Sequence, residues 1–407
     1  MGSSELRAVE LFAGGGGMAL GTDRAGFHHV ALLERNRHAV DTLVHNAKSG
    51  TGVRADLPIE ITDVTEFDYS RIEESIDLLA GGAPCQPFSL GGKHAGQKDR
   101  RNLFPEVFRA QRALQPRAVL LENVRGLARK AFRPYLEYIL LQLALPGIKP
   151  MEGEGWRDHK DRLFVSLERD EFGDAPTYHV KLGLRECADF GLPQRRGRVF
   201  MIAIRTDHED PLAVPRGSHA KERLIYDQFK SGAYWDRHGL PQPHPNGHRV
   251  PELAPSSQPW RTVRDTLRHL PVPSDGVAHS CHPNHVGVPG AKSYPGHTGS
   301  PWDEPAKALK AGVHGVPGGE NMLRDDDGAV RYFTVHEAAL LQGFPEEYEF
   351  CGSRSEAMRQ IGNAAPTPVC EEIANAIRIR LEDEDLSVGG YTSPHVDLVH
   401  EKQLAIL

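Results

Sequence analysis

The hydrophobic positions near the start of the chain alternate between short apolar runs and helical spacing. Residues 8–12 and 30–33 are apolar runs typical of buried strands, and residues 18–25 between them have the pattern of a helix start. Further runs predict strands at 76–80, 118–121 and 199–204 and helices at 104–114 and 132–145. Strands that alternate with helices predict an α/β fold with a doubly wound, mostly parallel sheet.

The pattern changes in the second half of the chain. Residues 211–320 contain 16 of the 30 prolines and 10 of the 21 histidines, and the periodicity fades there. Helical spacing returns at 334–341 and 368–381. We therefore predict a first domain over 1–208, a smaller loop-rich domain over 209–325, a return to the first domain over 326–384 and an acidic tail over 385–407.

Length and composition exclude several classes of protein. The 407 residues are 39% hydrophobic and 25% charged, a balance that suits folded domains and argues against a disordered chain. No apolar run approaches the ~18 residues of a membrane-spanning helix. The five cysteines include no CxxC pair, which argues against a zinc ribbon or a disulfide framework. Because Glu5, Arg7 and Glu10 break up the N-terminus, no secretory signal is predicted and we expect a cytoplasmic protein.

The charge is unevenly distributed. The whole chain has a net charge of −7, whereas residues 91–133 hold eleven lysines or arginines and three acids. A second basic cluster follows at Arg195, Arg196 and Arg198. Single basic runs are usually solvated faces, but two runs that flank the motifs described next favour a phosphate-binding surface.

Four consecutive glycines at 14–17 separate the first predicted strand from the first predicted helix. Such a turn lets the backbone approach a ligand closely and directs a helix N-terminus at it. Glu34 ends the second predicted strand, where a carboxylate can accept hydrogen bonds from ribose hydroxyls. The loop fits a dinucleotide as well as S-adenosylmethionine, so it leaves both cofactors open.

Cys85 lies in the segment GGAPCQPFS at 81–89, directly after a predicted strand. The flanking prolines stiffen the backbone at a carboxyl end of the sheet, where open α/β sheets place their chemistry. Glu122 follows the next predicted strand along the chain and would lie at the neighbouring carboxyl end. A nucleophile and a general acid would then face one crevice.

At this point the chain resembles the DNA (cytosine-5) methyltransferases. The resemblance rests on LFAGGGGM at 11–18, PCQPFS at 84–89, ENV at 122–124, QRRGR at 194–198, RYFTVHEAALLQGFP at 331–345 and QIGNAAP at 360–366. These blocks follow the order of the family and leave 209–325 where the family keeps its variable target-recognition domain. His336 and Leu340 stand where the family frequently has arginines.

The resemblance implies the chemistry and the site residues. Cys85 would attack carbon 6 of a flipped cytosine, Glu122 would hold the ring, and Arg196 and Arg198 would contact the target nucleotide and its phosphates. S-adenosylmethionine, released as S-adenosylhomocysteine, would contact the following residues: Phe12, Gly14, Gly16, Glu34, Asp63, Leu103 and Asn363. The basic segment 91–133 after Cys85 resembles the family's mobile catalytic loop that closes on DNA, and no metal is required.

The resemblance also implies a partner and leaves alternatives. The expected substrate is a short specific sequence in double-stranded DNA, modified by a monomer that protects the host from a companion restriction endonuclease. A transfer-RNA methyltransferase usually has a shorter variable region, and a DNA-reading module would not need Cys85 and Glu122. A nicotinamide oxidoreductase could share the glycine loop but leaves PCQ and ENV unexplained. His279, Cys281, His282 and His285 have no usual zinc spacing.

Overall fold

A computed structural model describes residues 5–54, 59–84, 102–207, 212–244, 247–280, 282–295, 297–311, 321–383 and 393–397. The strands are β1 (Leu6–Leu11), β2 (Phe27–Glu34), β3 (Ile59–Ile61), β4 (Leu78–Gly81), β5 (Ala118–Val124), β6 (Tyr178–Glu186), β7 (Gln194–Arg195), β8 (Gly197–Arg205), β9 (His219–Ala220), β10 (Gln258–Pro259), β11 (Ala278–His279), β12 (His282–Val286), β13 (Ser300–Pro301), β14 (Ala306–Lys307), β15 (Met322–Arg324) and β16 (Val330–Tyr332). The α-helices are α1 (Gly17–Arg24), α2 (Arg37–Ser49), α3 (Phe104–Leu114), α4 (Arg133–Ala144), α5 (Trp156–Glu168), α6 (Lys221–Phe229), α7 (Ala233–His238), α8 (Val263–Leu267), α9 (Val335–Leu341), α10 (Arg354–Asn363) and α11 (Thr367–Glu382). Within these ranges, no helix combines the length and apolar content needed to cross a bilayer.

A seven-stranded sheet forms the centre of the molecule, in the order β3-β2-β1-β4-β5-β8-β6. The strands from β3 to β5 are parallel, and β8 runs antiparallel to both of its neighbours. The α/β class and the mostly parallel sheet are therefore confirmed. The strand order reverses between β1 and β4, which is where open sheets of this kind leave a crevice at their carboxyl ends.

Helices cover both faces of the sheet because successive side chains of a strand point to opposite sides. Val119 of β5 joins a core with Phe108 of α3 and Ile139 of α4. Leu120, the next residue, joins a second core with Met18 of α1 and with α11. The last long helix of the chain thus packs on the same face as the first one.

The region predicted as a separate loop-rich domain has short strands and helices and packs against the C-terminal part of the chain. Its described strands, β9 to β15, are two to five residues long. Val263 and Leu323 share one buried cluster with Phe333 and with Ile361 of α10. A smaller cluster contains Trp235 and Trp260. Much of the core of this region is therefore shared with the segment that carries α9 and α10.

Part of the predicted acidic tail lies along the edge strand β6. The Val180 amide donates to the His395 carbonyl oxygen at 2.7 Å, and the Asp397 amide donates to the Val180 carbonyl oxygen at 2.9 Å. The Asp397 carboxylate also forms an ion pair with Lys181 at 3.1 Å. Residues 393–397 thus pair with the sheet, and the remainder of the predicted tail beyond 383 lies outside the described residues.

Two histidines of the loop-rich region, His282 and His285, pack in a buried cluster with His336. The His282 and His336 rings stack with their centroids 4.0 Å apart, and burial lowers the pKa of His336 to about 3. The His285 ring lies between the Pro271 carbonyl oxygen and the Thr334 hydroxyl, 2.8 and 3.1 Å away. In the described part of the chain no group of three or more potential ligand side chains could hold a metal ion, and Cys281 lies outside it.

The contact between α1 and α11 gives a first prediction. A Cβ added at Gly21 would lie 2.7 Å from the Thr367 carbonyl oxygen and 2.8 Å from the Glu371 amide. Backbone atoms cannot move aside as a flexible side chain can, so we expect Gly21→Ala to lower the free energy of unfolding by about 1–3 kcal/mol. Urea denaturation measures the change. Arg24→Ala removes only an exposed ion pair between the same helices and should change stability by less than about 0.5 kcal/mol; equal stability of the two variants would contradict close packing here.

Candidate active site

The glycine turn after β1 is held in place by residues from the far end of the chain. Phe12 and Gly16 adopt left-handed backbone conformations, with φ of 60° and 88°. A Cβ at Gly16 would lie 2.8 Å from both the Leu43 side chain and the Tyr348 hydroxyl. That hydroxyl donates to the Gly15 carbonyl oxygen at 2.9 Å. The turn therefore requires a glycine at 16 both for its conformation and for the close approach of Tyr348.

Glu34 connects the end of β2 to the glycine turn. One carboxylate oxygen accepts from the Gly14 amide at 2.9 Å, and the other accepts from the Asn36 amide at 2.7 Å. Asn36 in turn caps α2 through the Ala39 amide. Each carboxylate oxygen has a second lone pair, so Glu34 can hold the turn and still accept from a ligand hydroxyl.

A cavity of about 90 Å³ opens at the carboxyl ends of β1 and β2. Four of the predicted cofactor residues line it: Phe12, Glu34, Asp63 and Leu103. Pockets for complete small ligands usually begin at ~300 Å³, so this cavity fits one end of such a molecule. The other three predicted cofactor residues, Gly14, Gly16 and Asn363, do not line the cavity. Gly14 is connected to it through the hydrogen bond from its amide to Glu34.

Asp63 presents an ionised carboxylate to this cavity. Its Oδ1 accepts from the Thr65 amide at 3.0 Å and from the Thr65 hydroxyl at 2.9 Å, and Oδ2 lies 3.3 Å from Arg35. The hydrogen bond from the Thr65 amide is the largest contribution that lowers the pKa of Asp63. The site therefore has two hydrogen-bond-accepting carboxylates, Glu34 and Asp63, beside the apolar surfaces of Phe12 and Leu103.

Sequence reasoning missed several residues of the cavity. They are Leu33, Arg35, Thr62, Val64 and Pro84. Leu33 and Arg35 flank Glu34, and Thr62 and Val64 flank Asp63. Their adjacency to predicted residues was the available signal, because the residues around a strand end share one crevice.

Cys85 lies outside the described residues, and the structure describes the chain up to Pro84. The Ala83 carbonyl oxygen accepts from the Asn123 side chain at 3.1 Å, and a Cβ built at Gly82 would lie 3.4 Å from Glu122 Oε2. Because β4 pairs in parallel with β5, this segment runs directly beside the predicted ENV motif. Pro84 also lines the cofactor cavity. The segment that leads to Cys85 therefore lies between the cavity and the Glu122 carboxylate.

Glu122 forms a buried ion pair with Arg198. The Arg198 Nε lies 2.6 Å from Glu122 Oε1, and the two side chains are 13% and 9% exposed. The register of β5 against β8 explains the contact, because Val124 pairs with Arg198 and Glu122 pairs with Phe200. Arg198 thus fixes the orientation of the carboxylate, and two of the predicted catalytic residues lie together at this edge of the sheet.

Arg196 is placed differently from the expectation of a phosphate contact. Its side chain is 1% exposed, and its guanidinium donates to the carbonyl oxygens of Leu309, Gly362 and Ala364 at 3.2, 2.8 and 3.1 Å. The last two carbonyls lie at the C-terminal end of α10, on either side of Asn363. In this structure Arg196 therefore joins the end of α10 to the sheet and does not face solvent.

The described basic residues of 91–133 are partly used inside the protein. Arg109 forms an ion pair with Glu106 at 2.7 Å and donates to the Phe67 carbonyl oxygen at 2.9 Å. Arg117 forms an ion pair with Asp77 at 3.0 Å. The segment 91–133 was predicted as a mobile loop; its residues up to 101 lie outside the described residues, whereas the described part contains α3, β5 and the start of α4 and is largely regular structure. The charge count therefore overstates the positive charge that this segment offers to a ligand.

Comparisons with known proteins identify the family of this chain. A model of the C-5 cytosine-specific DNA methylase family matches residues 6–147 and 158–378. The Type II methyltransferase M.PspPI of Psychrobacter sp. (strain TA137) is 32% identical over 92% of this chain and 79% of its own length. The Type II methyltransferase M.NgoMIV of Neisseria gonorrhoeae is 30% identical over 94% of this chain and 100% of its own length. A Dnmt2 methyltransferase of S. pombe has a similar fold, with a TM-score of 0.55 at 19% identity, covering 94% of this chain and 99% of that one.

The sheet order and its similarity to the Dnmt2 structure show an α/β fold of the methyltransferase type. The family match covers most of the chain, and the chain belongs to the C-5 cytosine-specific DNA methylase family. It is a DNA (cytosine-5) methyltransferase of the restriction-modification type, and its substrate is DNA. The resemblance seen in the sequence motifs is confirmed.

The burial of Arg196 gives a second prediction. Arg196→Met leaves buried carbonyl oxygens without their donor, so we expect the free energy of unfolding to fall by about 2–4 kcal/mol. Arg195→Ala is the matched control, because Arg195 is the exposed neighbour and its loss should cost less than about 0.5 kcal/mol. Chemical denaturation of both variants gives the comparison. An Arg196→Met protein as stable as the unmodified one would show that these hydrogen bonds do not hold α10.

Proposed function

We propose that this enzyme methylates carbon 5 of cytosine through a transient covalent bond between Cys85 and carbon 6 of the base. The observation that carries this proposal is the Glu122–Arg198 pair beside the segment that ends at Pro84. A carboxylate with a fixed orientation beside Gly82, two residues before the described end of that segment, is what proton transfer at an attacked ring requires. The sequence match to the family supports the same roles for Cys85 and Glu122.

The proposed reaction uses the residues of the chain as follows. The Cys85 thiolate bonds to carbon 6 as the double bond between carbons 5 and 6 opens, and Glu122 gives a proton to the ring nitrogen so that negative charge stays off the ring. Bound S-adenosylmethionine supplies an electrophilic methyl group for the activated carbon 5. A water molecule then takes the carbon-5 proton, and the electron pair of that bond re-forms the double bond and expels Cys85 as a thiolate. The ring nitrogen returns its proton to Glu122. Arg198 keeps the Glu122 carboxylate oriented throughout.

We propose that the cytosine reaches Glu122 by leaving the duplex. A stacked base cannot present carbon 6 to a thiolate, and flipping it out costs a few kcal/mol in unstacking. Contacts between the protein and the DNA backbone must offset this cost. Arg196 is buried and Arg198 forms an ion pair with Glu122. Other basic residues of the chain, which include the exposed Arg195, would therefore contact the phosphates.

We propose that S-adenosylmethionine binds with its nucleoside end in the cavity at β1 and β2. Phe12 and Leu103 would contact the adenine ring, Asp63 would accept from its amino group, and Glu34 would accept from the ribose hydroxyls. The donor set fits, because the cavity combines apolar walls with two carboxylates and each carboxylate is already oriented by backbone amides. Gly14, Gly16 and Asn363 would shape the site from outside the lining.

The wider role that we propose is protection of host DNA. The Type II relatives support a companion restriction endonuclease, which would act on the same short sequence without being a stable subunit. We also propose that the enzyme acts as a monomer in the cytoplasm, where the DNA of a bacterium lies. Bisulfite sequencing of a plasmid from cells that express the gene identifies the methylated sequence.

The cofactor assignment gives a third prediction. Glu34→Gln replaces one acceptor oxygen with an amide that cannot accept from the Gly14 or Asn36 amide, so the turn and the ribose contact both weaken. We expect S-adenosylhomocysteine to bind at least about tenfold more weakly, which is about 1.4 kcal/mol. Isothermal titration calorimetry measures the affinity. Asp41→Asn on the exposed side of α2 serves as the control and should bind like the parent; an unchanged affinity in Glu34→Gln would remove Glu34 from the cofactor site.

The covalent step gives a fourth prediction. A duplex that carries 5-fluorocytosine in the methylated sequence should form a complex that survives denaturing electrophoresis, because the fluorine cannot leave as a proton does. Cys85→Ser should abolish both the trapped complex and methyl transfer while binding of the duplex persists. Cys351→Ser, at a partly exposed free cysteine, should behave as the parent protein. Trapping by the Cys85→Ser protein would assign the nucleophile to another residue.

A further inference from the structure

A second cavity, of about 200 Å³, lies between α3, α4 and the start of α5. Phe108 and Arg112 line it from α3, and Tyr135, Tyr138 and Gln142 line it from α4. The spacing of these residues puts each set on one face of its helix. Trp156, the first residue of α5, completes the wall. None of these residues lines the cofactor cavity or contacts Glu122.

The walls of this cavity are aromatic. The Trp156 ring lies 5.4 Å from the Tyr135 ring at an interplanar angle of 89°, and 5.8 Å from the Tyr138 ring at 49°. Phe108 is buried behind them. Ring faces and edges set in this way are complementary to a planar aromatic ligand, because aromatic pairs favour offset and edge-to-face contacts.

Two polar side chains in the cavity have no hydrogen-bond or ion-pair partner among the described residues. Gln142 is 5% exposed and makes no side-chain hydrogen bond to them. Arg112 is partly buried and has no carboxylate within ion-pair distance in that part of the chain, and burial lowers its pKa. The nearest acid on its own helix, Glu106, binds Arg109 at 2.7 Å. Both side chains line the cavity, so their N–H groups can donate to an acceptor bound there.

The other polar groups around the cavity are satisfied within the protein. Asn102 donates to the Tyr135 hydroxyl at 2.5 Å, and the Tyr138 hydroxyl lies 2.9 Å from His159 Nδ1. The polar groups of Asn102, Tyr135 and Tyr138 are therefore hydrogen-bonded within the protein. The Arg112 guanidinium and the Gln142 carboxamide also line the cavity but make no hydrogen bond to the described residues.

We propose that this cavity binds a small aromatic carboxylate. The ligand ring would contact Trp156, Tyr135 and Tyr138, while Arg112 pairs with the carboxylate and Gln142 donates a further hydrogen bond. A guanidinium presents parallel donors that match a planar carboxylate, which favours this group over a tetrahedral anion. A volume of about 200 Å³ suits a single substituted ring and not a nucleotide. The proposal is independent of the methyl-transfer chemistry.

The fifth prediction is that benzoate binds the full-length protein saturably at one site. The expected Kd is about 1 mM or below, a range open to a fragment of this size. Isothermal titration calorimetry gives the affinity, and tryptophan fluorescence, with Trp156→Phe as reference, locates the binding near Trp156. Benzamide, which lacks the charge, and inorganic phosphate, which lacks the ring, should each bind at least about tenfold more weakly.

Matched variants identify the site. Arg112→Met should weaken benzoate binding at least tenfold and Gln142→Leu should weaken it severalfold, with binding of S-adenosylhomocysteine unchanged in both as evidence of a folded protein. Arg157→Met is the control, because the Arg157 guanidinium lies 4.6 Å from the Trp156 ring but does not line the cavity. No saturable binding, equal binding of benzamide or phosphate, or undiminished binding by Arg112→Met would overturn the proposal.

Discussion

The structure depends on the contact between the glycine turn after β1 and the C-terminal part of the chain. The Thr367 hydroxyl donates to the Gly17 carbonyl oxygen at 3.1 Å, as Tyr348 does to that of Gly15. These bonds join residues more than 330 positions apart. The Gly15 carbonyl oxygen lies before α1 and outside its hydrogen-bond ladder, so its donor must come from elsewhere. The C-terminal part of the chain therefore stabilises both the glycine turn and the start of α1.

A second constraint is the placement of the two arginines, Arg196 and Arg198, near the carboxyl ends of the central strands. Arg196 and Arg198 are two residues apart, a spacing that puts side chains on one face of a continuous strand. The strand is interrupted at Arg196, between β7 and β8, so the two guanidiniums diverge. One reaches Glu122 and the other reaches the end of α10. The sequence of this basic motif predicts two phosphate contacts. In this structure Arg198 instead orients the Glu122 carboxylate, and Arg196 holds the end of α10.

Elements whose sequence pattern lies within a few neighbouring residues could be predicted, whereas elements defined by contacts between distant parts of the chain could not. Helix α3 has the predicted bounds, and α11 differs by one residue at each end, because each has a strong apolar face. Strand β6 was missed, since it lies at the edge of the sheet with charged residues along it and is defined by its pairing with β8. In the site, carboxylates at strand ends could be predicted, whereas Pro84 and Thr62 belong to the cavity only because β1, β2 and β4 end side by side.

The core of the loop-rich region is shared with the helices that follow it, and this limits the substitutions that the region can accept. Val263 and Leu323 pack against Phe333 and Ile361, and Ile361 belongs to the helix whose end is held by Arg196. A substitution in that core would therefore shift α10 as well as the loops, since close-packed cores transmit volume changes. Exposed positions such as Leu253 and Val272, each 84% accessible, carry no such coupling. The loops of this region can consequently vary more freely than its core, which is coupled to α10.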